Sequence, residues 1–151
     1  MKRKILITII SIVIIALVGC KQNFETHLTE VEYSGNIESI SHYFHELKTI
    51  ERVYFKSLQK GSSGLVGPST FSIAGFVFIS EDEKNTLIDT YEFVEAMPEF
   101  PEGISTDITQ LTDFRWATSK EFTRFVLKGN FIGDIFLDTN NGIIYLNVEN
   151  T

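Results

Sequence analysis

The strongest alternation of apolar positions in the chain is "TFSIAGFVFIS", residues 70–80. If this segment is a strand, apolar side chains lie along the whole of one face. In the second half of the segment they also lie on the opposite face. Because apolar side chains on both faces are typical of a strand covered on both sides, we expect this strand in the middle of a sheet. The first set is Phe71, Ile73, Val77 and Ile79, and the second is Ala74, Phe76 and Phe78.

Three further segments have the composition of strands. The branched and aromatic residues of "RVYFKSL" (52–58) predict a preceding strand, and the glycines, serines and Pro68 of residues 59–69 predict the loop between the two. "FIGDIFLD" (131–138) and "GIIYLNVEN" (142–150) predict a closing hairpin. They are joined by "TNN", and Asn141–Gly142 is a strong hairpin signal because both residues tolerate a positive φ.

Helical spacing predicts a first helix over about residues 36–49, with Ser34 or Asn36 as its N-cap. Four residues recur on one face of this helix at the period that a buried stripe requires. They are Ile37, Ile40, Phe44 and Leu47.

Two capping boxes predict further helices. In such a box, the two side chains each satisfy a backbone N–H of the first turn. Ser80 with Glu83 predicts a helix that runs to about Glu95, and Thr118 with Glu121 predicts a short helix through Leu127. The inner stripe of the longer helix is expected to be Leu87, Ile88, Tyr91 and Val94.

Together these elements predict an α+β domain. We expect about four strands in an antiparallel or mixed sheet, packed against two or three helices and ending in a β-hairpin. Pro98, Pro101 and Gly103 interrupt regular structure, and a loop of roughly 15 residues follows them, longer than most connections in compact domains. The region 98–117 is therefore a candidate ligand-binding loop.

The first twenty residues have the anatomy of a secretory signal. Lys2, Arg3 and Lys4 precede an apolar run that extends from Ile5 to Val18. This run covers about 14 residues, whereas a helix that crosses a bilayer core needs about 20. A cleaved export signal is therefore favoured over a permanent transmembrane anchor.

The end of this signal, "LVGC" (17–20), resembles the lipobox of bacterial lipoproteins. That family has an aliphatic residue three positions before a cysteine and a small residue directly before it. The resemblance implies cleavage before Cys20, diacylglycerol on its thiol, and often an acyl chain on the new amino group. Because each buried methylene contributes about 0.8 kcal/mol, two or three acyl chains such as palmitate give a stable membrane anchor.

The predicted organisation is a signal peptide at 1–19, a lipidated cysteine and flexible tether at 20–35, and one globular domain at 36–151. Lipoprotein sorting often treats aspartate after the cysteine as a signal for retention in the inner membrane, and this chain has Lys21 there. By resemblance, a two-membrane bacterium would send the protein to its outer membrane. A one-membrane bacterium would hold it on the outer face of the cell membrane.

The net charge of the mature domain excludes anionic partners. Cleavage before Cys20 leaves 132 residues with no cysteine for a disulfide once the Cys20 thiol carries lipid. The leader removes three of the 13 basic residues and none of the 20 acidic ones, so the mature domain carries a net charge of −10. Nucleic acids and anionic lipid head groups repel such a domain. The acyl chains, rather than surface charge, must hold the domain at the membrane.

Acidic side chains are concentrated in residues 81–102, which contain eight of them and the single lysine Lys84, a net charge of −7. A solvated helix face followed by a polar loop accounts for this pattern. The functional alternative is a docking surface for a basic partner, since acidic surfaces steer positive proteins towards them. Its candidate residues are Glu92, Glu95, Glu99 and Glu102.

Aromatic anchors for such a partner are also present. Phe100 and Trp116 flank the candidate loop, and binding hot spots often use aromatic side chains. Trp116, between Phe114 and Thr118, equally fits a purely structural contact at the start of the third helix.

Two motifs have the residue types of metal sites. "HYFHE" places His42, His45 and Glu46 at helical spacing, as in some zinc or nickel ligand sets. The apolar stripe of that helix lies on its opposite side, so we interpret these side chains as a solvated face. "DTNNG" (138–142) begins like a calcium loop, but its glycine comes one residue early and strands flank it, which favours a plain turn. We predict no metal and no cofactor.

The sequence is poor in catalytic groups. Its three histidines, His27, His42 and His45, fall in the tether and on the solvated helix face. No serine has the setting of a nucleophile elbow, and no glycine-rich phosphate loop precedes a helix. We therefore expect no catalytic residues; the alternative is a small hydrolase that uses clustered carboxylates such as Asp134 and Asp138.

These observations favour a small acidic lipoprotein of the cell envelope that acts by binding a partner, with a basic protein as the candidate. One specific version is an immunity-type protein that neutralises a basic toxin. A small-ligand-binding lipoprotein with an apolar pocket under the 98–117 loop is the other alternative.

Overall fold

The computed structural model describes residues 34–60, 70–100 and 113–150. The predicted signal peptide, the lipidation candidate Cys20 and the tether up to residue 33 lie outside these residues. So do residues 61–69 of the first predicted loop and residues 101–112 of the candidate binding loop, including Glu102. No helix among the described residues is long and apolar enough to cross a membrane.

The described chain forms an α+β domain with one antiparallel sheet. The helices are α1 (Ile37–Tyr43), α2 (Glu81–Thr90) and α3 (Lys120–Leu127). The strands are β1 (Ile50–Lys60), β2 (Thr70–Ile79), β3 (Val94–Glu95), β4 (Trp116–Thr118), β5 (Phe131–Asp138) and β6 (Ile143–Asn150).

The strand order in the sheet is β1-β2-β6-β5-β4-β3, and every neighbouring pair is antiparallel. The predicted fold class is confirmed, but the expected number of strands was wrong, since the described residues form six rather than four. The two additional strands, β3 and β4, have two and three residues. Segments of this length are too short to show a period-two pattern.

The main core lies between the helices and one face of the sheet. α1 contributes Ile40, α2 contributes Leu87 and α3 contributes Phe122 and Val126, all of them buried. The sheet supplies alternate residues of its strands to the same core. These are Val53, Phe55, Ile73, Val77, Ile79, Phe131, Ile135, Leu137, Ile144, Leu146 and Val148.

A second, aromatic cluster lies on the opposite face of the sheet. Its buried members are Phe76, Trp116, Ile143 and Tyr145. Partly buried side chains pack around them, namely Tyr54, Ala74, Phe78, Phe114 and Phe136. Strand β2 therefore has apolar side chains on both faces and lies inside the sheet, as the sequence predicts.

Two helices are shorter than predicted. α1 ends at Tyr43 rather than near Thr49, although Phe44 and Leu47 beyond its end are still buried. α2 ends at Thr90 rather than near Glu95. Of its predicted inner stripe, Leu87 is buried and Tyr91 is half-buried at the C-cap, while Ile88 and Val94 are exposed. Val94 belongs to strand β3 rather than to the helix, and its side chain is exposed.

The helix caps confirm part of the prediction. Asn36 caps α1 by accepting a hydrogen bond from the Ser39 N–H, and Ser80 caps α2 by accepting one from the Glu83 N–H. The reciprocal half of the predicted box is absent, because Glu83 Oε1 accepts from the Lys48 N–H at 3.2 Å.

The cap predicted for α3 was wrong by one residue. Ser119 rather than Thr118 accepts the hydrogen bond from the Phe122 N–H. Thr118 belongs to β4, where its hydroxyl donates to the Ile135 carbonyl at 2.9 Å. Since this hydroxyl is already engaged within the sheet, the neighbouring serine caps the helix.

The closing hairpin is confirmed, with β5 and β6 in register from Phe131–Asn150 to Asp138–Ile143. Its loop covers residues 139–142, and the Gly142 N–H donates to the Asp138 carbonyl at 3.0 Å. Of the predicted Asn141–Gly142 pair, only Gly142 has a positive φ, +66°. The turn therefore uses a positive φ at one of these two positions rather than at both.

Gly75 permits the close approach of β1 and β2. A Cβ atom at this position would lie within 3.0 Å of the Phe55 Cα and the Tyr54 carbonyl oxygen. Backbone atoms cannot move aside without separating the strands. We expect Gly75→Ala to lower the free energy of unfolding by about 1–3 kcal/mol, measured by urea denaturation.

Gly35→Ala is the matched control for this prediction. A Cβ there would meet only the Val53 carbonyl oxygen, at 3.8 Å, which is an ordinary contact. Its effect should stay within about 0.5 kcal/mol. Equal destabilisation by the two substitutions would contradict the close-approach explanation.

Candidate functional site

The candidate site is an exposed segment at the end of α2 and along β3, residues 88–100, which we name the acidic edge. Four of its large apolar side chains are exposed, led by Met97 (77%) and Val94 (64%), with Phe100 and Ile88 less so. Its acidic side chains are also exposed, namely Asp89, Glu92, Glu95 and Glu99. Apolar and acidic residues therefore alternate along this segment, and the side chains of the consecutive residues Val94 and Glu95 point to opposite faces of the sheet.

Strand β3 fixes the middle of the acidic edge. It pairs with β4 through Val94–Thr118 and Glu95–Ala117, and the Ala96 N–H donates to the Trp116 carbonyl at 3.1 Å. The backbone of the segment is therefore held by the sheet, while the side chains of Val94 and Glu95 are exposed.

The aromatic cluster fixes the far end. The Phe100 ring packs against those of Phe76, Trp116 and Tyr145, with centroids 5.0 to 5.9 Å apart. The Tyr145 hydroxyl donates to the Glu99 carbonyl at 3.3 Å. Phe100 is nonetheless 46% exposed, so it can serve both as an internal contact and as a surface group.

An open groove of about 530 Å³ lies beside β3. Two of the predicted partner-binding residues, Glu92 and Glu95, line it together with the rings of Tyr91 and Phe93. Strand β4 and the β5–β6 turn complete it. Their contributions are Arg115, Trp116, Ala117, Thr139 and Asn140.

The buried carboxyl of Asp138 holds the residues that form this part of the groove. Its Oδ1 atom accepts from the Arg115 N–H at 2.8 Å and from the Asn140 N–H at 3.1 Å. Its Oδ2 atom accepts from the Asn141 side-chain amide at 2.6 Å. Asp138 is 0% exposed, so these bonds replace the water that its carboxyl loses.

Hydrogen bonds from two further residues, Thr139 and Lys84, join this turn to its surroundings. Thr139 donates to the Arg115 carbonyl from both its N–H and its hydroxyl, at 3.0 and 3.1 Å. The buried Lys84 donates from Nζ to the Asn140 carbonyl at 3.3 Å and forms an ion pair with Glu81 at 2.7 Å. The turn is therefore bonded both to the strand β4 segment and to α2.

The acidic residues of the predicted patch fall into two groups. Glu81 and Glu83 make structural contacts with Lys84 and with the Lys48 N–H. Glu92, Glu95 and Glu99 are exposed and form no ion pair within the described part of the chain. The structure brings Glu92 and Glu95 together at the groove, while Glu102 lies outside the described residues.

Of the two aromatic candidates, only Phe100 presents surface to a partner. Trp116 is 5% exposed, and its ring stacks on Phe114 with centroids 5.7 Å apart. It lies within β4 rather than in a loop, so its role is structural. The 98–117 region therefore contains a strand that the sequence did not reveal.

The predicted shared helical face of His42, His45 and Glu46 was wrong, because α1 ends before the last two residues. His45 Nε2 lies 2.9 Å from a Glu46 carboxylate oxygen, which is also paired with Lys128. The hydrogen bond from Lys128 lowers the pKa of Glu46; desolvation opposes this shift, and the charges of His45 and Lys48 assist it. No cluster of three metal-ligating side chains occurs in the chain's described ranges.

Tyr91, which lines the groove, also contacts the aromatic rings of Phe122 and Phe125 on α3. Burial raises the pKa of its phenol from the ordinary value, and the nearby charges of Glu46 and Glu121 raise this pKa further.

Comparison with known proteins returned no relative: no family model matches the chain, no curated protein aligns with it significantly, and no solved structure significantly matches its fold. The functional interpretation therefore depends on the geometry of the site itself.

Removal of the Asp138 carboxyl should loosen this part of the groove. Asp138→Ala leaves the Arg115 N–H and its neighbours without their acceptor, and we expect a loss of about 2–4 kcal/mol in the free energy of unfolding. Asp134→Ala is the control, because Asp134 is exposed on the same strand. An equal loss in both variants, measured by urea denaturation, would show that the buried network is not the cause.

Proposed function

We propose that this chain is a lipid-anchored protein of the bacterial cell envelope and that its acidic domain binds a basic protein partner. The first half of the proposal is supported by the leader, in which a charged start, a short apolar run and Gly19–Cys20 occur at the spacing of a lipobox. The lipid on Cys20 holds the domain at the membrane.

The observation that carries the second half is the composition of the acidic edge. Monomeric proteins seldom expose several large apolar side chains next to one another without a function for that surface. Here Val94, Met97 and Phe100 are exposed within seven consecutive residues and alternate with carboxylates. Protein interfaces typically combine apolar contact groups with polar or charged ones.

The charge of the surface defines the partner. Glu92, Glu95 and Glu99 give the acidic edge a net negative charge, and a neutral or acidic partner would supply no counter-charge. A basic protein gains both steering towards the surface and pairing once bound. A basic toxin that an immunity-type protein neutralises is one partner of this chemistry.

The groove supports a second candidate function. Its volume of about 530 Å³ lies within the range of small-molecule sites. Aromatic walls from Tyr91 and Phe93 suit a small cationic ligand. The groove also has one more carboxylate than cation, since Glu92 and Glu95 line it together with Arg115. The exposed apolar residues outside the groove favour a protein, because a small ligand would leave them uncovered.

The anchor predicts covalent lipid at one position. In cells fed a clickable fatty acid, the wild-type chain should carry the label and Cys20→Ser should carry none, since the serine hydroxyl cannot replace the thiol. In-gel fluorescence after membrane isolation is the measurement. Equal labelling of the two proteins would contradict the anchor.

Charge reversal should abolish partner binding. We expect Glu92→Lys, Glu95→Lys and Glu99→Lys combined to reduce recovery of a basic protein, cross-linked in intact cells, by at least about tenfold. These substitutions replace attraction by repulsion at three positions of the acidic edge. Because charge attraction supports binding by the wild type, that binding should also weaken as salt screens the charges.

The control is a triple variant with the same change in net charge. Glu38→Lys, Glu51→Lys and Asp134→Lys alter exposed residues on α1, β1 and β5, away from the acidic edge. This variant should recover the partner as the wild type does. Full recovery by the acidic-edge variant, or an equal loss in the control, would refute the proposed surface.

A further inference from the structure

The two edge strands of the sheet differ in whether the described chain pairs with their outer backbone groups. At the β1 edge, Ser34 exchanges two backbone hydrogen bonds with Phe55, at 2.8 and 3.1 Å, so the chain itself covers the middle of that edge. At the β3 edge, no residue of the described part of the chain pairs with the outer side of the strand. An uncovered edge is a template on which another strand can pair.

The register of β3 shows which backbone groups face outwards. The Ala96 N–H donates to the Trp116 carbonyl, so the N–H and C=O of Ala96 point towards β4. Successive residues of an antiparallel strand point their backbone groups in opposite directions. The N–H and C=O of Glu95 therefore point away from β4, towards the side on which no described residue pairs with β3.

The side chains around this edge define what can pair there. Val94 and Met97 offer exposed apolar surface, and Glu92, Glu95 and Glu99 offer carboxylates. A second copy of this chain would bring the same carboxylates together, and their repulsion disfavours such pairing. An extended segment in which basic and apolar residues alternate matches both the charge and the contacts.

We propose that β3 binds its partner by strand addition: an extended basic segment of the partner protein pairs with the outer backbone of Glu95 and becomes the next strand of the sheet. This inference rests on the proposed function and adds the mode of binding. Main-chain hydrogen bonds supply affinity, while the carboxylates and Val94 select the sequence of the segment.

The probe for this proposal is a nine-residue peptide of alternating lysine and valine with blocked ends. Its binding to the full-length chain in detergent micelles is followed by the fluorescence of Trp116, the only tryptophan, whose carbonyl accepts from Ala96. We expect saturable binding and slower exchange of the Glu95 amide hydrogen. A peptide with glutamate in place of lysine should not bind.

Two variants at one position separate backbone pairing from charge. Glu95→Ala removes the carboxylate and keeps the N–H, whereas Glu95→Pro removes both. Proline is tolerated on an edge strand where its N–H would face solvent, so the β3–β4 bonds should persist. We expect Glu95→Pro to bind the peptide about tenfold more weakly than Glu95→Ala does. Equal affinities in two folded variants would overturn the proposal.

If Glu95→Pro fails to fold, peptides methylated on their backbone nitrogens test strand pairing on the wild-type chain. Methyl groups are placed on alternate backbone nitrogens, in one peptide on the odd residues and in another on the even residues. Because only one side of an added strand is paired, we expect one peptide to bind at least tenfold more weakly and the other to bind normally. Unchanged binding of both would overturn strand addition.

The failure of this inference is distinguishable from failure of the proposed function. If neither methylated peptide loses affinity but charge reversal at Glu92, Glu95 and Glu99 still abolishes recovery of the cellular partner, the surface binds by side chains alone. If the charge reversal has no effect, both the surface and the strand addition are refuted.

Discussion

The first half of strand β6 is buried on both faces, and covering those two faces determines where the other elements lie. Ile143, Ile144, Tyr145 and Leu146 follow one another with at most 1% of each residue exposed. Burial of each such side chain contributes about 1.5–3 kcal/mol, so neither face can be left to solvent. The three helices cover the face that bears Ile144 and Leu146, and the aromatic cluster covers the face that bears Ile143 and Tyr145.

Covering the aromatic face accounts for the position of the acidic edge. After α2 the chain runs through β3 and places Phe100 on Phe76 and Tyr145, and the hydrogen bond from Tyr145 to the Glu99 carbonyl holds the backbone there. The same path leaves β3 as the last strand in the described sheet order. The surface that we propose binds a partner is thus fixed by residues that stabilise the domain.

Much of the fold could be predicted from the sequence because its strongest signals are local. Strand β2 shows both apolar faces in its alternation, and the closing hairpin has a glycine where the turn requires positive φ. The helix ends could not be predicted from periodicity, since Leu47 is buried beyond the end of α1 and continues the pattern of the helix. Residues that are buried by tertiary contacts beyond the end of a helix thus extend its apolar pattern in the sequence.

The candidate site was predicted only in part. The density of acidic residues indicated Glu92, Glu95 and Glu99. The predicted helix included the first two, whereas both lie beyond the end of α2, beside a groove. Strands β3 and β4 carry too few residues for a pattern. The sequence indicated Asp138 as part of a turn and as one of two clustered carboxylates, but not as a buried acceptor. Its position before "TNN" is the signal of a side chain that bonds the backbone of its own turn. Its bond to Arg115, 23 positions away, depends on the tertiary fold.

The most direct test of the account is photo-cross-linking in living cells from two equally apolar surface positions. A photoreactive residue replaces Met97 on the acidic edge in one strain and Ile132 on β5 in another, since both side chains are well exposed, 77% and 60%. The account predicts a cross-link to a basic protein from position 97 and none from position 132. A cross-link from position 132 alone, or equal cross-links from both positions, would contradict it.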